Sequence, residues 1–273
     1  MELRRKLLNY LSGLFKKKNS DELSYYKLSV TGGREVNQDE CIVLKLGESS
    51  WFLAVADGMG GAANGYIASN IAINIAFDIL ENDLKDKLNI NLDQLKRILK
   101  SVYQKIQSVI KEQIVKNPDL KGMGTTLTCL LIYEGKYVWG NIGDSRIIKI
   151  KDNDLIQLTE DHNYITDYKK ENMGSLPSEI KNSYSHLLTK CLDGGDDQPD
   201  IFPFEKDFEM LDDNELFLLC SDGLLLNNYK FKKSNSSIGY EYLKKTGQEL
   251  IANSFKEGST DNITLIMYRS NRK

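Results

Sequence analysis

Histidine is almost missing from this 273-residue chain, and His162 and His186, the only two, cannot supply a histidine-rich metal site. No persuasive Ser–His–Asp order exists either, so each is read as a packing or hydrogen-bonding residue. Cysteine is scarce too. Cys41, Cys129, Cys191 and Cys220 are scattered without a CxxC pair. Cys129 and Cys220 sit in apolar runs as small core residues, and none has a motif suited to thiolate activation. Reduced thiols in a cytoplasmic protein are expected. No apolar run nears the ~20 residues of a membrane span. The apolar stretch near residue 10 is broken by Asn9, Ser12 and Gly13 and closed by three lysines, which is not a signal-peptide pattern. A linker rich in proline, glycine or serine is also lacking. One domain over residues 23–273 is expected, behind an extension over 1–22.

Hydrophobic residues make up 41% of the chain and both charge signs are mixed, as in ordinary globular proteins. The net charge of −3 gives no case for nucleic acid as a partner. Charge is nevertheless uneven. Arg4, Arg5, Lys6, Lys16, Lys17 and Lys18 face only Glu2 in the first 18 residues, so the body is distinctly acidic. Within that basic stretch Leu3, Leu7, Leu8, Leu11, Leu14 and Phe15 recur at helical spacing. It reads as a surface-docked helix, or as a peripheral contact with anionic lipid or a partner groove.

From Asn19 onward the pattern turns to strands. Cys41–Leu46 and Trp51–Ala56 form one hairpin, and Thr126–Tyr133 and Lys136–Asn141 a second around Glu134-Gly135. Arg146–Lys151 pairs with Leu155–Leu158. Leu187–Leu192, Glu215–Cys220 and Asn262–Tyr268 are further strands. Helices are expected over Asn64–Leu80, Leu92–Val115 (stopped by Asn117-Pro118) and Gly239–Phe255. Residues 163–183 are polar and read as a mobile insertion with one short helix. Hairpins separated by helices suggest antiparallel sheets covered by helices, not alternating parallel units.

Five segments place a carboxylate at the edge of an apolar run: Arg34–Asp39, Ala56–Gly61, Gly143–Arg146, Cys220–Leu224 and Thr260–Ile263. An unpaired charge at a buried strand end costs stability. Several pointing at one place call for a hard cation, and oxygen-only ligands favour magnesium or manganese over zinc or copper. Asp57-Gly58 alone is compatible with an ordinary turn. Asp222-Gly223 repeats the device on another strand, and Asp261 supplies a third carboxylate. Arg34 lies close enough in sequence to hold an oxyanion beside such ions, or to make a surface ion pair. Gly122–Thr126 lacks the Gly-Lys-Ser/Thr ending of a phosphate loop and reads as a tight turn. Asp144 can pair with Arg146 or face the metals.

In this order and spacing, with Gly122–Thr126 and Leu158-Thr-Glu-Asp-His162 between them, the segments resemble the type 2C (PPM) metal-dependent Ser/Thr protein phosphatases, particularly the bacterial branch. The likeness runs from about Leu28 to Tyr268. It implies an α+β fold, a four-layer α-β-β-α sandwich of two mainly antiparallel sheets flanked by helices. It implies hydrolysis of phosphoserine and phosphothreonine by a water activated between two Mn2+ or Mg2+ ions. Asp57 would bridge the ions, the Gly58 carbonyl would bind one, and Asp222 and Asp261 would complete the coordination of the first of the two ions. Asp39 would orient the water, Arg34 would hold the phosphate, and Asp144 would help bind a weaker third ion. Gln38 stands where many relatives have an acid, and Met59 replaces a histidine that some eukaryotic relatives offer, so no general acid is assigned. The insertion at 163–183 corresponds to the family's variable flap. A phosphorylated protein is the implied substrate, with a Ser/Thr kinase or its targets as partners, and a cytoplasmic monomer, peripheral to the membrane if residues 1–18 bind lipid, is expected. The competing readings are a catalytically silent phosphatase-like binding module and a metal phosphohydrolase of small phosphoesters.

Overall fold

Strands with apolar side chains on both faces must be covered on both faces, and that requirement sets this architecture. The computed structural model describes residues 24–270 except 86, 152–153, 173–176, 178–183, 185–186, 204–208, 213–214, 227–228, 230 and 232–237. The amphipathic stretch over residues 1–18 and His186 therefore lie outside the described residues, as does most of the flap beyond residue 172.

In chain order the strands are β1 (Tyr25–Val30), β2 (Asp39–Lys45), β3 (Trp51–Met59), β4 (Gly124–Thr125), β5 (Leu127–Tyr133), β6 (Lys136–Ile142), β7 (Arg146–Lys151), β8 (Asp154–Gln157), β9 (Asp200–Phe202), β10 (Glu209–Met210), β11 (Leu216–Cys220) and β12 (Ile263–Arg269). The helices are α1 (Ala62–Leu84), α2 (Leu92–Lys116), α3 (Tyr164–Glu171) and α4 (Tyr240–Lys256). One sheet has the order β1-β12-β11-β7-β8. The other runs β10-β6-β5-β3-β2, with β4 added to β3 and β9 to β6. Every named pairing is antiparallel.

Period-two alternation sorts the side chains into three packed layers. Leu53 and Val55 of β3 meet Phe217 and Leu219 of β11 and Ile266 and Tyr268 of β12 between the sheets. Phe52, Ala54 and Ala56 of β3 turn the other way, onto α1 and α2. Leu216, Leu218, Leu265 and Met267 pack with Leu243, Leu250 and Ile251 of α4 on the opposite outer face. The result is helix, sheet, sheet, helix, as the resemblance implied.

Local signals explain most boundaries. α2 opens with a capping box, in which the Asn91 side chain accepts the Gln94 N–H while the Gln94 side chain accepts the Asn91 N–H. Pro118 ends it. Three features differ from the sequence reading. Leu187–Leu192 forms only two isolated bridges, Asn163 to Leu188 and Thr125 to Leu192, so it is a connecting segment and not a strand. β3 does not stop at Ala56; it continues through Gly58 and Met59, which pair with β4. β1, half-buried and without clean alternation, completes a sheet edge that the sequence pattern did not single out. The apolar run Leu224-Leu225-Leu226 has a packing role: Leu224 and Leu226 join the α4 layer, and the Leu225 N–H donates to Ser254 Oγ at 2.9 Å.

Candidate metal centre

Alternation along the strands delivers the carboxylates to one end of the sandwich. Asp57 follows Leu53 and Val55 on the face of β3 that looks between the sheets. Asp39 is its direct partner across the ladder. In the facing sheet Ser221 follows Phe217 and Leu219, and Asp222 comes just past the end of β11. Asp261 precedes β12, and Asp144 occupies the turn between β6 and β7. Arg34, Gln38, Asp57, Gly58, Asp144, Asp222 and Asp261 thus share the wall of one cleft of about 460 Å3. Asp39 lies behind it, buried, and accepts the Ser221 hydroxyl at 2.8 Å.

These carboxyls disfavour their own ionisation. Burial, then the charges of Asp39, Asp222, Asp144 and Asp261, push Asp57 well above the usual carboxylate range. Burial also raises Asp39 to about 6, against hydrogen bonds from Thr264 and Ser221. Asp144 rises to about 7 through burial and the charges of Asp222 and Asp161, opposed by Arg146. Asp39 Oδ1 is buried without a hydrogen-bond donor. A cation would compensate such a cluster, and its all-oxygen chemistry fits Mg2+ or Mn2+. Among the described residues no three His, Cys, Asp or Glu side chains close around one point by themselves. This suits ions that keep several waters and take one or two carboxylates each.

Backbone contact makes the two Asp-Gly pairs obligatory. A Cβ on Gly58 would lie 2.1 Å from the Gly65 carbonyl oxygen, and one on Gly223 2.1 Å from that of Asn262. Only glycine lets these backbones meet.

Several supporting residues escaped the sequence reading of roles. Thr126 Oγ1 accepts the Asp57 N–H at 2.9 Å and shares a hydrogen bond with Ser145 Oγ at 2.8 Å, tying the β3 end to the Asp144 turn. Asn262 donates to the carbonyls of Thr31 and Val36 at 2.7 and 3.0 Å and accepts the Gln38 N–H at 2.9 Å. It therefore staples the Arg34 loop to β12. The Gln38 side chain donates to the Gly61 carbonyl at 2.9 Å. Arg34, itself exposed, donates from Nη2 to Asp261 Oδ2 at 2.8 Å. Asp144 makes no ion pair with Arg146, whose guanidinium forks instead onto Asp161. Position within a motif was the only sequence signal for Thr126 and Asn262, because their partners are 69 and more than 200 residues away.

A sequence model of the protein phosphatase 2C family matches residues 31–257. The serine/threonine phosphatase stp of Listeria welshimeri is 28% identical over 246 residues, covering 87% of this chain and 92% of that protein. The crystal structure of PstP/Ppp from Mycobacterium tuberculosis superposes with a TM-score of 0.73 at 27% identity, over 91% of this chain and 98% of that one. The match to full-length PstP spans only 39% of that protein. The PstP catalytic domain solved with two manganese ions gives a TM-score of 0.69 at 28% identity, over 90% of this chain and 98% of that one.

Proposed function

Because this chain belongs to the protein phosphatase 2C family, we propose that its cleft is a two-cation centre at which phosphoserine and phosphothreonine are hydrolysed. The protein is a metal-dependent serine/threonine phosphatase. The observation that carries the site reading is the convergence of carboxylates from separate segments on one cleft, with protonation raised where they meet.

Asp57, the Gly58 carbonyl, Asp222 and Asp261 would hold the pair of ions, Mn2+ or Mg2+, and Asp144 would take a weaker third. When bound, such ions lower the pKa of a water toward neutrality and offset phosphate charge. Asp39, fixed by Ser221, would orient a water there. Arg34 has five N–H donors and uses one on Asp261. The remainder can fork onto the non-bridging oxygens of the phosphate, which positions the ester and stabilises charge as it develops. The cleft is also lined by Leu188, next to the flap helix α3, where the protein part of a substrate would rest.

Residues 23–273 are the catalytic domain in this reading, acting as a cytoplasmic monomer on phosphoproteins that include a Ser/Thr kinase or its targets. Residues 1–18 add a basic amphipathic contact for an anionic membrane surface. No helix among the described residues is long and apolar enough to cross a membrane.

Hydrolysis of p-nitrophenyl phosphate and of a phosphothreonine peptide with manganese tests the central claim. Asp57→Ala should lower turnover by ~10^3-fold, the several kcal/mol that Lewis-acid stabilisation supplies. Turnover that persists in excess chelator, or in that variant, would sink the two-cation reading.

A further inference from the structure

One buried side chain beside the cleft has no part in the scheme above. His162 is 5% exposed and does not line the cleft, yet it is bonded on every side. Its Nδ1 accepts the Gly143 N–H at 3.1 Å. The ring proton therefore lies on Nε2, which donates to Asp200 Oδ2 at 2.9 Å. Lys190 holds the other Asp200 oxygen at 3.3 Å. The backbone repeats the grip, because the His162 N–H donates to the Gly143 carbonyl at 3.0 Å. On the far side the His162 carbonyl accepts the Thr189 N–H at 3.0 Å, next to Leu188 of the cleft wall.

The neighbouring residue completes a clamp. Asp161 is forked by Arg146, whose Nε donates at 2.9 Å. Consecutive residues of one segment thus grip both ends of Gly143-Asp144-Ser145-Arg146, His162 at Gly143 and Asp161 at Arg146. Gly143 adopts φ +100°, and a Cβ there would fall 2.4 Å from the Thr126 methyl. The turn thus enters Asp144 through a residue with no side chain to orient it, and the imidazole does so from outside.

We propose that His162 is a positioning residue: by holding the Gly143 amide it aims the Asp144 carboxylate into the cleft and so sets the affinity of the cation that Asp144 takes. The proposal rests on the reading of Asp144 as a cation ligand, and its test keeps the two apart. A partner that orients a metal ligand typically contributes 10–100-fold in affinity, so the effect is measurable without turnover.

The experiment is a manganese titration of the chelator-stripped full chain by calorimetry, with the Gly143 amide followed by NMR, for wild type, His162→Gln, His162→Asn and Asp144→Asn. Asp144→Asn identifies the weaker class of sites. His162→Gln places its amide toward Asp200 and removes the acceptor near Gly143. It should weaken that same class about tenfold, leave the tighter class within about twofold, and shift the Gly143 amide. His162→Asn keeps an oxygen near the Nδ1 position and should recover most of the affinity. If Asp144→Asn weakens a class of sites and His162→Gln does not, the positioning role is wrong. Equal losses in all classes for both His162 variants, in step with a lowered melting temperature, would reduce His162 to fold maintenance. An unchanged isotherm for Asp144→Asn would remove the Asp144 reading and this proposal with it.

Discussion

Asp39 and Asp144 carry pKa values of about 6 and about 7 in the fold, against about 3.9 for an unfolded aspartate. A raised carboxyl pKa means that the native state binds more protons than the unfolded chain between those values. The sign follows from linkage: the contribution of these two groups to unfolding free energy falls as pH rises from about 4 to about 7 and levels off above. Chelator-treated protein should therefore melt at a lower temperature at pH 8 than at pH 5, by an amount worth a few kcal/mol. Asp144→Asn should flatten part of that slope. Manganese should raise the melting temperature more at pH 8 than at pH 5, because protons and cations compete for the same oxygens. Differential scanning fluorimetry across pH, with and without metal, reads all three effects. A melting temperature of the stripped protein that rises over this range contradicts the cluster.

At the scale of elements, the centre exists because strand ends are locked together at fixed points. Gly223, just beyond β11, touches the backbone ahead of β12, and Ser259 Oγ donates to the Gly223 carbonyl at 2.8 Å. Gly223→Ala must separate the segments that carry Asp222 and Asp261. Overpacking of this kind costs roughly 1–3 kcal/mol, and here it should also weaken manganese binding by more than the stability loss explains. Denaturant unfolding beside a manganese titration separates the two quantities. Unaltered metal affinity would show that the spacing of these two strand ends is not critical. A second element-scale contact lies away from the cleft: Lys149 of β7 pairs with Glu215 and donates to Tyr137 of β6 at 3.1 Å, joining the two sheets through a polar bridge.

For the whole molecule, charge distribution matters more than its sum. The net charge of −3 divides into a basic first 18 residues and an acidic remainder that contains the carboxylate centre. Basic side chains near an anionic bilayer contribute about 1 kcal/mol each, screened over a Debye length. The full chain should co-sediment with phosphatidylserine vesicles at low salt and be released by several hundred millimolar salt, whereas a chain starting at residue 23 should remain in solution. Identical partitioning of the two forms removes the membrane role and leaves catalysis untouched.

Much was legible in the chain itself. Apolar runs of period two, turn dipeptides and the Asn117-Pro118 stop show where β2, β3, β5, β6, β11, β12, α2 and α4 lie, because those signals act over a few residues. The sequence also pointed to a chemistry for the site: aspartates at strand ends with almost no histidine favour a hard cation. Three-dimensional packing alone decided that Asp39 faces Asp57 across a ladder, that Arg34 rests on Asp261, and that His162 and Asp161 clamp the Asp144 turn. Those contacts join residues from 15 to 227 positions apart, and no local preference encodes them. They arise when two sheets stack.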